Sequence, residues 1–282
     1  MSEAALSIAD LRVLATGLDH PEGIAVGPDG LLYAGGEAGQ IYRIDTSSGS
    51  VALLADTGGF VLGLALDAAG TIYACDMEAR SVVRVDPSTG SVETYCATAA
   101  GGPIVCPNWP AFAADGTLFV SDSGPEDPSI AVGRLLSVPP GGGDAEVLEL
   151  PPLCFPNGLA VGPDGQLVIL ESFDPRLSAL VDGRLETLAE LPGTVPDGVA
   201  FAADGSLLVA CYYPYHVYRV PAGGGTPELL LDDRLGLSLL MPTNLAFFGP
   251  QLRSIAFAAL GGTSITAIDV AFAGAPLHYP SL

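Results

Sequence analysis

One pattern recurs along this chain at near-constant spacing, and few folds can accommodate it. Residues 21–30 read PEGIAVGPDG, 107–116 PNWPAFAADG, 156–165 PNGLAVGPDG and 196–205 PDGVAFAADG, with looser copies around Leu62 and Thr243. The equivalent positions 22, 62, 108, 157, 197 and 243 lie 40, 46, 49, 40 and 46 residues apart. That period is the length of one four-stranded propeller blade, roughly 40–45 residues. Each of the first five copies holds a short apolar run, an Asp-Gly or Ala-Gly turn in which glycine supplies the positive φ of a tight hairpin, and a second β-rich run. Third strands follow at residues 40–45, 81–86 and 216–220. The last repeat stops after its third strand, near residues 264–268, and the chain opens on a spare strand, Leu11-Arg12-Val13-Leu14. Pairing the two closes a ring and leaves no open edge, which a solenoid of the same period would not need. The pattern therefore predicts an all-β, six-bladed β-propeller with four-stranded blades. It fills residues 1–282 as one domain, with the N-terminal strand completing the last blade.

In such a ring the first strand of each blade is innermost, so the residue just before it stands at one mouth of the central channel. The six residues there are Glu22, Leu62, Asn108, Asn157, Asp197 and Thr243. A requirement of turn geometry alone would act on all six blades. Instead, four blades supply strong oxygen donors, two of them carboxylates. Two carboxylates converging in a narrow channel raise one another's pKa, and a divalent cation relieves that conflict. Ligation by oxygen alone points to calcium first, with magnesium, manganese and zinc as the other ions considered. Glu22, Asn108, Asn157 and Asp197 are thus the expected ligands of one divalent metal.

Composition removes several alternatives. The formal net charge is −22, and all 10 basic residues are arginine. Nucleic acid and anionic membranes need a basic face, so neither is an expected partner. Lysine chemistry, from Schiff bases to the phosphate-loop lysine, is excluded. The five cysteines are irregularly spaced and form no CxxC, which argues against a disulfide framework or a structural zinc. Cys106 and Cys154 lie close before Asn108 and Asn157, and a small buried hydrophobe is the expected role, ahead of a nucleophile or redox lock. No HExxH pair or Gly-x-Ser-x-Gly elbow occurs. With no signal peptide or apolar span in view, a cytoplasmic protein acting on a small molecule is expected.

The motifs Pro21-Glu22-Gly23, Pro107-Asn108, Pro156-Asn157-Gly158 and Pro196-Asp197-Gly198, with the tail Leu277-His278-Tyr279-Pro280, resemble those of the senescence marker protein (regucalcin), gluconolactonase and luciferin-regenerating enzyme family. The chain is more distantly similar to diisopropyl fluorophosphatase and strictosidine synthase. The resemblance implies a lactonase-like hydrolase with a divalent metal at the pore mouth. It carries over Glu22, Asn157 and Asp197 as metal ligands and Asn108 as ligand or substrate contact. Asp197 is also the candidate base or nucleophile. Second-strand ends at Glu37, Asp76, Asp122, Glu171, Ser172, Tyr212 and Tyr213 should rim the pocket, with Asn108, Trp109, Asp122 and Tyr212 as expected substrate contacts. Trp109, Phe155, Leu153, Phe60 and Val61 make the mouth apolar, which favours a small apolar lactone or ester over a sugar lactone. Three alternatives stand beside this reading: a metal-dependent phosphotriester or fluorophosphate hydrolase, a strictosidine-synthase-like condensing enzyme, and a non-catalytic propeller serving as a binding platform; the quartet argues against the second and third.

Overall fold

A computed structural model describes residues 4–282 as six four-stranded antiparallel sheets in a ring. The inner strands are Ile24–Val26, Val61–Leu66, Pro107–Phe112, Pro156–Val161, Val195–Phe201 and Pro242–Phe248. Each touches the inner strand of the next blade, and the sixth touches the first. Arg12–Thr16 pairs antiparallel with Ser264–Asp269, with Arg12 opposite Ala267 and Thr16 opposite Ser264. The expected closure is therefore formed: blade 6 takes its outer strand from the start of the chain.

The core follows from β alternation. Successive side chains of an inner strand point to opposite faces of the blade, so each strand feeds two boundaries. Ile24 and Val26 pack against blade 6, whereas Ala25 packs against blade 2. The buried apolar residues accordingly divide into six clusters, one at each blade boundary. Near the axis space is short. All six blades place alanine three residues beyond the mouth position, at Ala25, Ala65, Ala111, Ala160, Ala200 and Ala246, and all six line the central channel.

That channel is an apolar cavity of about 300 Å³, walled by Leu64, Leu66, Val161, Phe201 and Phe247 among others. Its far mouth is crossed by the C-terminal tail. Ala275 N–H donates to Phe201 O on blade 5 at 2.9 Å, and Ala68 N–H on blade 2 donates to Pro280 O at 2.9 Å. Between them, His278 Nε2 donates to Gly162 O on blade 4 at 2.9 Å and the Tyr279 hydroxyl to Val26 O on blade 1 at 2.8 Å. The tail thus ties together blades far apart in sequence. Tyr279→Phe removes one donor from this strap, and urea unfolding should show a loss of about 1 kcal/mol. An unchanged midpoint would mean that the strap does not hold the blades.

Candidate metal centre at the pore mouth

The first strand of each blade should run straight from the mouth down the channel, but it does not. In blades 2 to 6 the register with the second strand slips at the mouth residue. Pro107 pairs with Asp122 while Pro110 pairs with Val120, and Pro156 with Glu171 while Leu159 pairs with Ile169. The same slip follows Val61, Pro196 and Pro242. A β-bulge inserts one unpaired residue and re-aims its side chain, a device common beside active sites. Here it falls on Leu62, Asn108, Asn157, Asp197 and Thr243. The glycine that follows four of the mouth residues makes room for it. A Cβ on Gly23 would lie 2.0 Å from Leu62 O of the next blade, and one on Gly158 2.3 Å from Asp197 O.

Glu22, Asn108, Asn157 and Asp197 are all buried. Burial pushes the Glu22 carboxyl up to about 8. Burial also drives Asp197 well above the carboxylate range, with Glu22 adding to the rise and the Asn157 amide opposing it. The two carboxyls therefore share one desolvated space. The amide oxygens Asn108 Oδ1 and Asn157 Oδ1 are buried there without a hydrogen-bond donor. Buried acceptors are normally satisfied, so these two amide oxygens stand out, as do the two carboxyls that burial displaces upward. This donor set fits a hard divalent cation, which takes carboxylate and amide oxygens. Among the described residues no three His, Cys, Asp or Glu gather as a metal site, because half of this quartet is amide.

Four hydroxyls hold the mouth segments across blade boundaries. Thr243 Oγ1 donates to Glu22 O at 2.6 Å, and Ser121 Oγ to Asn157 O at 2.8 Å. Ser123 Oγ donates to Pro156 O at 2.6 Å, and Ser172 Oγ to Pro196 O at 2.7 Å. Thr243 is a mouth residue whose hydroxyl serves its neighbour's backbone. None of these roles was foreseen from the sequence. The one available signal is the Ser that follows the second-strand acid in Asp122-Ser123 and Glu171-Ser172.

The expected rim needs correction at its carboxylates. Asp122 is 1% exposed, and its two oxygens take the N–H groups of Val105 and Cys106 and two nitrogens of Arg134. Four donors match the lone pairs of a carboxylate, so Asp122 pegs the loop before Asn108 and has no capacity left for substrate. Glu171 repeats the arrangement with Cys154 N–H and Arg176 Nε, both at 2.7 Å. Asp76, also buried, accepts from Phe60 N–H and Ala79 N–H. Ser172 is likewise buried. A carboxylate at a strand end read as solvated or functional, whereas Asp122 and Glu171 are held by backbone donors of the loop they face and by an arginine, and Asp76 by backbone donors at Oδ1.

The other expected residues divide. Tyr212 is part-buried and close enough to Asp197 and Glu126 to feel both charges, and Tyr213 is 55% exposed. Trp109 is buried, stacked over Gly63 and lining the channel below the quartet. His20 Nδ1 lies 3.0 Å from Asp19 Oδ1 and 3.3 Å from Glu37 Oε2. Phe155 packs against Phe173 with centroids 4.6 Å apart. All five cysteines are free. Burial, with Asp122 and Glu22 nearby, pushes the Cys106 thiol up to about 12, the opposite of an activated nucleophile.

Residues 20–259 match the profile of the SMP-30/gluconolactonase/LRE-like region. No curated protein sequence matches the chain. Among solved structures, a gluconolactonase from Xanthomonas campestris is 22% identical over 92% of this chain and 89% of its own, with a TM-score of 0.75. Regucalcin from Agrobacterium tumefaciens, described as a calcium-binding protein, is 16% identical over 98% and 99%, with a TM-score of 0.79. Luciferin-regenerating enzyme is 16% identical over 96% and 99%, with a TM-score of 0.73. At such identities the likeness is one of fold. No helix among the described residues is long and apolar enough to cross a membrane.

Proposed function

The chain belongs to the SMP-30/gluconolactonase/LRE-like family, and from that premise we propose that it hydrolyses a small, uncharged lactone or ester with the help of one divalent cation, calcium first among the candidates. The observation that carries this reading is the pair of orphan amide oxygens, Asn108 Oδ1 and Asn157 Oδ1, beside the two buried carboxyls Glu22 and Asp197. These four residues would hold the cation. When bound, a divalent cation supplies polarisation of a carbonyl and neutralises the oxyanion that forms as water adds, worth several kcal/mol.

The chain's own groups do the rest. Asp197 accepts the proton of the attacking water and returns it to the leaving oxygen as the acyl C–O bond breaks; or Asp197 attacks the carbonyl carbon itself, expelling that oxygen to take a proton from water, and water then hydrolyses the acyl anhydride, freeing Asp197 and the acid. Asn108, the ligand nearest Trp109 in sequence, also orients the substrate carbonyl. Asn157 keeps the carboxylate of Asp197 in place, and Glu22 supplies the second carboxylate for the cation. Tyr212 flanks the substrate on the side of blade 5.

The substrate class follows from the mouth. Phe60, Phe155 and Phe173 are part-buried there, and Val105 is 40% exposed. Arg134 and Arg176, at the starts of their third strands, are held by Asp122 and Glu171 and are not free to clamp an anion. An apolar or aromatic lactone suits these walls better than an acidic or polyhydroxylated one. The test is turnover of an aryl lactone, an aliphatic lactone, an aldonolactone and a phosphotriester by protein loaded with calcium, then stripped with EDTA. Lactone turnover that EDTA abolishes is expected, fastest for the apolar members. Turnover of the phosphotriester alone would transfer the reading to phosphoester hydrolysis. No turnover of any of them would favour a binding platform.

A further inference from the structure

Asn157 has to present oxygen, not nitrogen, to a cation, and an amide side chain can point either end inward. In this structure its orientation is decided by one acceptor. Asn157 Nδ2 donates to Ser172 Oγ at 3.2 Å. The single hydroxyl proton of Ser172 is committed elsewhere, to Pro196 O at 2.7 Å, so toward Asn157 the serine can only accept. With the NH₂ end drawn to Ser172, Oδ1 is left buried and without a donor.

We propose that Ser172 is a positioning residue for the metal centre: by accepting from Asn157 while donating to Pro196 O, it fixes the amide with its oxygen toward the cation and ties that setting to the segment carrying Asp197. This rests on the metal-dependent reading given above. The claim is specific to blade 4. Ser123 occupies the equivalent place in blade 3 and makes the equivalent bond, to Pro156 O at 2.6 Å. Among the described residues Asn108 makes no side-chain bond to Ser123 to match that from Asn157 to Ser172, so the two serines separate a backbone tie from an amide lock.

The pair supplies the experiment. Calcium affinity is measured by isothermal titration for wild type, Ser172→Ala, Ser172→Thr and Ser123→Ala, and each is melted in EDTA to record the stability of the metal-free fold. Loss of an outer-shell partner typically weakens metal binding about 10–100-fold, and that is the loss expected for Ser172→Ala. Ser172→Thr keeps the hydroxyl and should stay near wild type. Ser123→Ala should lose stability in EDTA as Ser172→Ala does, because each drops one buried hydrogen bond, yet keep its calcium affinity. If Ser172→Ala does not fold, Ser172→Cys keeps the volume with a poor donor and acceptor and carries the same expectation. Equal affinity in Ser172→Ala and wild type overturns the positioning role while leaving the metal centre intact. So does an equal weakening in Ser123→Ala, which would make the effect one of blade packing. A wild type that binds no divalent ion overturns both this inference and the reading beneath it.

Discussion

Asp197→Ala lowers kcat/KM for a good lactone substrate by about 10⁴-fold or more, because two contributions leave together. A positioned base typically supplies 10² to 10⁴ in rate, and polarisation of the carbonyl several kcal/mol more. Asp197 is at once the proton acceptor of the proposed reaction and one of only two carboxylates in the quartet, so its removal also weakens cation binding. Asp197→Asn separates the two roles. It keeps an oxygen for the cation and the shape of the side chain but cannot take a proton, so it should bind calcium more weakly than wild type yet turn over no faster than the alanine variant. The metal-free fold gives the opposite sign. Asp197 is buried beside Glu22, and both carboxyls are displaced upward by desolvation. Without a cation its ionised form is a liability to the fold, so Asp197→Asn should melt higher than wild type in EDTA above neutral pH. Activity lost while stability is gained marks a residue kept for function. Near-normal turnover in Asp197→Ala would remove Asp197 from the mechanism.

How far such a site can be read from a sequence depends on which forces are local. The ring was legible because each blade writes the same strand, turn and strand into its residues, and because Leu11–Leu14 had no partner except the incomplete last repeat. The quartet was legible for a related reason: Glu22, Asn108, Asn157 and Asp197 break a six-fold pattern at one position. What stayed hidden connects residues of different blades. Thr243 looked like the absence of a ligand, and only the closed ring brings its hydroxyl to Glu22 O, 221 positions away. Asp122 looked like a rim carboxylate, because nothing in Val120-Ser121-Asp122-Ser123 shows that Arg134 will return across a long loop to face it. The bulges at the mouth had a trace in the glycines after Leu62, Asn157 and Asp197. Glycine within a strand signals a bulge or a close backbone approach, and here it marks both. Trp109 and Asn244 take that position in blades 3 and 6, and Gly63 and Gly198 of the preceding blades accommodate them.

Stripping the cation should reverse the pH dependence of stability. The Glu22 carboxyl stands at about 8 in the metal-free fold against an ordinary 4.5, and Asp197 is displaced in the same direction. A carboxyl whose folded pKa is raised gives up its proton first in the unfolded chain. Between the two values the unfolded state therefore binds fewer protons, and stability falls as pH rises. In EDTA the fold should be firmest near pH 5 and lose several kcal/mol by pH 8.5, at about 1.4 kcal/mol per unit of displacement. His216 acts in the other direction. Burial lowers its pKa below the ordinary 6.5, outweighing the pull of Asp232, so it destabilises the fold as pH drops. Its contribution is common to both metal states and cancels when they are compared at one pH. Saturating calcium needs both carboxylates ionised, so binding expels their protons and should tighten as pH rises toward 8. At 100 times its dissociation constant the ion adds about 2.7 kcal/mol to stability. Urea unfolding from pH 5 to 9, with EDTA in one series and calcium in the other, should give curves that diverge steadily above pH 5. Titration in buffers of different ionisation enthalpy should count the protons released. Parallel curves and no proton release would mean that Glu22 and Asp197 do not form the cation site. Divergence with release would show that the fold carries these two carboxyls at a standing disadvantage that only a bound cation offsets.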